Sequence, residues 1–504
     1  MPSTENDKID KSNKKFSFLK RRKFWIRFFG FAIFVPILLF SILILIVYIN
    51  QDEIIQAEID ALNKGHKGKI TIGDTHLEPF ENFPYISIRV DEVRILESKL
   101  PNAEEILSVA DINLSFNLWD IVWGNYDIQG LLVEKGDFNI ILHKDGTTNI
   151  QNALATAEDG EIEEPMDIHL KEIILKNLDI HKLDETTNVD VETFIHSARG
   201  GFKTDKELIH AHVDTDFELN LIDNGDTTYI NDKHFEVHTD LSYNENSGLL
   251  SIQPSGIRME HGDFNIEGTI DLENDVFVDL DINGTKPNFD MLIAFAPSDL
   301  IPVLERYKNA GNIYFNSSIE GPTLHGVMPL INAEFGASDA YLENTGERKK
   351  IEDLGFKGYF TNGEDRNLKT MEFSLKGMTA KLENGNLLGS VVVKNFEEPE
   401  VDMQLNADFD LEFLTRFLNL EGLKAGGNAE LEMRFHDIID LDRPELAINE
   451  LNQAYFTELK VEGFTLESTD LPAPLKKLDM HLIMNGKKAD LDLFEAEFGN
   501  PTFP

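Results

Sequence analysis

The sequence predicts a mostly-β protein: a single N-terminal transmembrane helix, then an antiparallel sheet with a few short helices and internal repeats. Three observations predict it. Apolar and polar residues alternate with a period of two along most of the chain. A basic segment leads into an uncharged apolar run near the N-terminus. Two blocks of the C-terminal half repeat one another in order.

The membrane helix comes first. Lys11, Lys14, Lys15, Lys20, Arg21, Arg22, Lys23 and Arg27 precede an uncharged run from Phe28 to Ile49. At about 1.5 Å per residue, such a run spans a hydrocarbon core of ~30 Å. The rival is a cleaved signal peptide, whose apolar region would be shorter and would end in small residues. Here the run ends "IVYINQDEII" with no small-x-small site, and Pro36 within it is tolerable in a membrane helix. The basic flank assigns residues 1–27 to the cytoplasm and residues 50–504 to the far side. After the anchor, "QDEIIQAEIDALNKGHKG" reads as a short amphipathic helix.

The strands follow. Ile86, Ile88 and Val90 alternate with polar residues, as do Ile112, Leu114, Phe116 and Leu118. Phe138, Ile140 and Leu142 keep the rule, then Met166, Ile168 and Leu170. Phe217, Leu219 and Leu221 continue it, then Val276, Val278, Leu280 and Ile282. Each run puts its apolar side chains on one face of a strand. Gly, Asn and Asp between the runs give the punctuation of an antiparallel meander.

The repeat is read from four matches. "NIEGTIDLEN" (265–274) matches "NLLGSVVVKN" (386–395), and "VDLDIN" (278–283) matches "VDMQLN" (401–406). "FDMLIAF" (289–295) matches "FDLEFLTRF" (409–417), both read as short helices. "NAGNIYFNSSIEG" (309–321) resembles "KAGGNAELEMRF" (424–435), about 120 residues on. The expected organisation is therefore an N-terminal β region over 50–260, one unit over 261–384 and a second over 385–504. The last seven residues, "FGNPTFP", resemble the openings of the earlier units, so the chain is expected to be cut at the start of a third.

Composition excludes several functions. A formal net charge of −44 over 504 residues repels phosphate backbones and argues against nucleic-acid binding. The absence of Cys excludes disulfides, Cys-ligated zinc and thiol catalysis. With 35 Phe against 10 Tyr and 3 Trp, the aromatic surface has few polar tips, which suits faces kept from water.

Three stretches imitate active sites. "HKDGTTNIQNAL" (143–154) crowds polar residues together, but Asp145-Gly146 after an alternating strand is a tight-turn signal, and Asn149 is placed to cap a short helix. "DLDINGTKPNFD" (279–290) sets Asp279, Asp281, Asn283, Gly284 and Asp290 near the spacing of a calcium loop. Against that, Leu280 and Ile282 continue a strand face and Pro287 breaks the pattern, so the strand is expected. His210 and His212 share a strand face without a third ligand nearby in sequence, and read as solvent-facing. With no nucleophile, phosphate-loop or zinc-protease motif, no catalytic residue, cofactor or metal is assigned.

Taken together, "GKITIGDTHLEPFENFPYISIRVDEVRIL" (67–96) and "LSVADINLSFNLWDIVWGNYDIQGLLVEKGDFNIILHKDGTTNIQNAL" (107–154) resemble the AsmA-like family of bacterial envelope proteins. The step Asp145, Gly146 and Asn149 is the most recognisable piece, and the repeated units resemble the family's middle region. The family's usual final region is not visible. The resemblance implies a Gram-negative inner-membrane anchor, a periplasmic body, and an elongated sheet curled into an apolar groove of the bridge-like lipid-transfer type. It implies phospholipid as the partner and outer-membrane assembly as the process, with outer-membrane or periplasmic proteins as further partners. One strand face taken as inward gives Leu114, Phe116, Leu118, Phe138, Ile140, Leu142, Ile168, Leu170, Phe264, Ile266, Val278 and Leu280 as groove-lining residues. The residues themselves leave a closed β core open as the alternative. At the level of function, a non-enzymatic scaffold that binds proteins through its sheet edges stands beside the lipid conduit.

Overall fold

The computed structural model describes residues 55–57, 59–78, 85–117, 128–157, 170–223, 226–227, 231–296, 301–323, 327–420, 422–438, 456–468, 471, 473–486 and 488–499, with scattered positions from 38 to 49. Of the run Phe28 to Ile49, those scattered positions are Leu38, Ser41, Ile42, Ile44, Leu45, Tyr48 and Ile49, all helical; the rest lies outside the described residues. Among the described residues, no helix is long and apolar enough to cross a membrane. Leu118 and Ile168 also lie outside them.

The chain is mostly β, a long antiparallel sheet with a few short helices. It divides into two compact units, residues 1–136 with 150–172, and residues 137–149 with 173–504.

The first unit holds β1 (Lys69–Thr71), β2 (Thr75–Glu78), β3 (Tyr85–Leu96), β4 (Glu105–Asn117) and the start of β5 (Ile128–Leu142). Both short strands pair with β3, which pairs in turn with β4. The helix expected after the anchor is present at 55–57 and 59–65, and it buries Ile55 and Ile59. Most of α1 (Asn149–Leu154) belongs here, and the carbonyls of Ala153 and Ala155 accept from Gly68 N and Lys67 N. Ile86 and Ile88 on β3 face Phe116 and Leu114 on β4, and Ile86, Ile88 and Phe116 are at most 3% exposed. The opposite face is also buried, with Ser87 Oγ 3.1 Å from Ser115 Oγ. Around Ser87 and Ser115, β3 and β4 are buried on both sides.

The second unit runs from the end of β5 through β6 (Glu172–Asp184), β7 (Val189–Asp205), β8 (Leu208–Asp223), β9 (Asp226–Thr227), β10 (Lys233–Asn244) and β11 (Leu249–Met259). β6 opens at Glu172, so Leu170 precedes the strand on which alternation set it; Lys171 N donates to Gln129 O just before it. Then comes the first repeated block. It comprises β12 (Gly262–Asp271), β13 (Phe277–Gly284), α2 (Asp290–Ile293), α3 (Ile301–Leu304), β14 (Tyr307–Pro322), β15 (Leu330–Asn344), β16 (Lys349–Thr361) and β17 (Glu372–Leu382). The second comprises β18 (Gly385–Lys394), β19 (Glu400–Asp410), α4 (Leu411–Phe417), β20 (Leu423–Ile438), β21 (Phe456–Ser468), β22 (Leu475–Asn485) and β23 (Lys488–Phe498). From β10 to β23 each strand pairs antiparallel with the next.

The repeat has a physical content that the matched letters do not announce. "AGN" (310–312) and "GGN" (426–428) are both β-bulges, with register shifts at Ala310/Asn312 and Gly426/Asn428. Gly311 and Gly427 sit there at φ +154° and +102°, where a side chain would run into Ala340 or the carbonyl of Gly463. A bulge bends its strand and raises its twist. Further shifts follow in β15, β16, β17 and β21.

The helices close two short lengths of the apolar face. Met291 and Ala294 of the α2 turn pack on Phe264, Ile313, Phe315 and Ala337. α4 is capped by Asp410, whose Oδ1 accepts from Glu412 N at 2.8 Å and Phe413 N at 3.2 Å. It buries Phe413 and Phe417 against Leu382, with Tyr307, Leu342 and Ile351 at the margin. Its last carbonyl, on Phe417, accepts from Tyr307 Oη at 3.0 Å and Asn344 Nδ2 at 2.9 Å. A helix of the second block thus seals onto strands of the first.

Candidate functional site: the apolar face of the second unit

Register turns the alternation of single strands into rungs. One rung runs Ile266, Ile282, Ser317, Ala333, Phe360, Phe373, Val393, Val401 across β12 to β19. A second runs Phe315, Phe335, Gly358, Leu375, Val391, Met403, Phe435 across β14 to β20. A third runs Leu387, Ala407, Leu431, Leu459, Leu482, Leu491 across β18 to β23. Away from α2 and α4, most of these side chains are half-buried, and Leu491 is 53% exposed. Phenyl rings touch along the face, with Phe335 and Phe373 stacked at 6.1 Å and Phe217 and Phe235 at 5.2 Å. On β12, β13 and β19 the intervening residues of the other face are mostly polar: Asn265, Glu267, Asp279, Asp281, Asp402, Gln404 and Asn406 are all exposed. The sheet is amphipathic as a sheet, not only strand by strand.

The expected lining residues fall into two groups. Phe116, Phe264 and Val278 are buried. Leu114, Phe138, Ile140, Leu142, Leu170, Ile266 and Leu280 are half-buried. Register brings Ile266, Leu280 and Val278 onto one face, Leu280 opposite Gly268 and Val278 opposite Ile270. Leu114 and Phe116 form a β3–β4 contact in the first unit instead. Alternation missed Phe373, Val391, Met403 and Phe435. "VVVKN" is apolar on both faces, so only pairing with β17 and β19 tells Val391 and Val393 from Val392.

Asp279 and Asp281 lie in the regular ladder of β13, opposite Glu320 and Ser318, so the calcium-like spacing is a strand. His210 and His212 are exposed, and His212 Nδ1 lies 2.8 Å from Asp240 Oδ1.

"HKDGTTNIQNAL" turns the chain. His143 N donates to Thr147 O, Gly146 N to His143 O, and Gly146 takes φ +86°. Asn149 does more than open α1. It is fully buried, its Nδ2 donates to Asn139 O at 2.8 Å, and its Oδ1 accepts from Ile141 N at 3.1 Å. One side chain stands in for a strand partner of β5.

Asp145 Oδ1 accepts from Thr147 N at 3.0 Å and Thr147 Oγ1 at 2.7 Å, which holds its carboxyl below the usual aspartate range. A depressed carboxyl contributes stability above the unfolded pKa, about 3.9, and loses it as pH falls through the folded value. In an NMR titration Asp145 is therefore expected to protonate below ordinary aspartates, and Thr147→Val to raise its midpoint. An Asp145 midpoint that Thr147→Val leaves unmoved contradicts the assignment.

Compared with protein-family models, curated proteins and solved structures, the chain matches none of them.

Proposed function

We propose that this protein holds or conducts phospholipid, with acyl chains laid on the apolar face of the second unit. The observation that carries the reading is the set of in-register rungs. A face of Phe, Leu, Ile and Val continues across β12 to β23, and among the described residues helices cover it only at α2 and α4. Contiguous apolar surface of that extent marks an interaction site, because leaving it in water is unfavourable. An acyl chain suits it, since each buried CH₂ is worth about 0.8 kcal/mol and needs no polar partner. Bulges in β14 and β20 support a sheet bent into a groove. The resemblance to the AsmA-like family points to the same cargo. The basic and apolar N-terminal run supports a membrane anchor with residues 50–504 on the far side, and the resemblance implies that this membrane is the inner one, the body periplasmic and outer-membrane assembly the process served.

The test uses half-buried rung positions, because Phe116 is buried and an acid there would test folding. Full-length protein is purified, its lipid extracted and quantified by mass spectrometry, and compared with Ile266→Asp/Leu405→Asp, where Leu405 is half-buried on β19 between Met403 and Ala407, opposite Gly389 and Met433. Removing contact with about two CH₂ groups costs ~1.6 kcal/mol, so lipid retention is expected to fall about tenfold. A folded wild type that carries no phospholipid, or a double variant that keeps it at the wild-type level, overturns the proposal. Protein crosslinks without lipid would favour the scaffold.

A further inference from the structure

The opposite, polar face of the second unit concentrates histidine where β7, β8 and β10 lie side by side. Glu218 on β8 is the direct cross-strand partner of His234 on β10. His196 on β7 sits in a bulge between Ile195 and Ser197, so two consecutive residues, His196 and Ser197, meet the one strand position at Asp216. A bulge re-aims a side chain. Here His196 Nε2 reaches Glu218 Oε1 at 3.1 Å. One ligand atom each from His196, Glu218 and His234 lies within 4.8 Å of the others, and all three residues are half-buried.

A further carboxylate adjoins the set through His234. Asp216 Oδ1 is buried and makes no hydrogen bond. It lies 3.4 Å from His234 Nε2 without the alignment of a hydrogen bond. An orphaned carboxylate oxygen beside an imidazole nitrogen is a poor hydrogen-bonded pair, and it adds negative charge that favours a cation next to it. Tetrahedral zinc, with bonds of about 2.0–2.2 Å, sets neighbouring ligand atoms about 3.4 Å apart. The His196 Nε2–Glu218 Oε1 contact, 3.1 Å, fits that spacing. Two imidazoles with a carboxylate favour zinc-class ions over calcium or magnesium, which take all-oxygen shells.

We propose that His196, Glu218 and His234 form a zinc site, its fourth position left to water, that staples β7, β8 and β10 together on the polar face. The ion joins three strands through side chains directly behind the stacked Phe217 and Phe235 of the apolar face. It would fix the twist of the sheet there. Alternation could not reveal the site, because its histidines stand on different strands and only register and a bulge bring them to Glu218.

The test is metal binding to the full-length protein after chelator treatment. Equilibrium dialysis against zinc is expected to leave about one ion per chain bound, with at least tenfold weaker binding in His196→Gln and in His234→Gln. His238→Gln, altered on the same face but outside the set, is expected to bind as wild type does. Cobalt(II) on the wild type needs no variant and should give the intense visible absorption of a tetrahedral site. No retained zinc, an octahedral cobalt spectrum, or undiminished binding in the His196→Gln/His234→Gln double variant would overturn the proposal. So would loss in His238→Gln alone, which would move the ion to His212, Asp214, His238 and Asp240.

Discussion

Replacing Phe413 by alanine is expected to destabilise the second unit by about 3–5 kcal/mol. Phe413 is 1% exposed, stacks on Phe417 at 5.7 Å between ring centroids, and packs on Leu382 of the preceding block. Its loss leaves a cavity that a strand-bound Leu382 cannot close, and it uncouples α4 from the strands it seals. The cap at Asp410 and the bonds from Tyr307 and Asn344 to the Phe417 carbonyl would then hold a helix without its anchor. Urea unfolding followed by circular dichroism measures the effect. Leu418→Ala, at a side chain 46% exposed just past the helix, is expected to cost less than about 1 kcal/mol. Equal losses in the two variants would contradict the role given to α4.

Asn149→Leu, alike in γ-branching but larger, is expected to cost about 2–6 kcal/mol from the lost bonds alone. Both amide atoms of Asn149 bond to β5, so leucine strands the Asn139 carbonyl and the Ile141 N–H in a buried place. Each orphaned group costs about 1–3 kcal/mol. Asn149→Asp keeps an acceptor for Ile141 N and loses the donor to Asn139 O, so it should fall between leucine and wild type. Hydrogen exchange at Ile141 reports the same bond locally and should quicken in the leucine variant and less in the aspartate variant. Unchanged protection of Ile141 in Asn149→Leu would show that the side chain does not hold β5.

These two residues mark the boundary of what could be read from sequence. Asp145-Gly146 was legible as a turn because positive φ and an Asx acceptor are local properties of two residues. The service of Asn149 to β5 was not, since an asparagine before a helix reads as a cap, and only the folded turn brings it to Asn139 and Ile141. Alternation placed Ile266, Val278 and Leu280 on a common face because β12 and β13 are regular there. It failed for Leu170, which precedes β6, and it could not separate the closed β3–β4 contact of Phe116 from the more open face of the second unit. Period two is blind to what lies opposite a strand. It is also blind to bulges, which change the parity of a strand in mid-course and so hid His196 from Glu218. The repeat was visible as matching letters, and "AGN" with "GGN" gained a physical meaning only as bulges.

The central claim is that one face of the second unit carries acyl chains and the other does not. Ile266 and Glu267 are consecutive, on opposite faces of β12, and their partners Ile282 and Asp281 divide in the same way. A photo-crosslinking residue placed at each position in turn, in cells, samples the two faces with one residue between them. Phospholipid adducts at 266 and none at 267 are predicted, with the same contrast between 405 and 406 on β19. Equal labelling of both faces, or no lipid adduct at 266 and 405, would contradict the account.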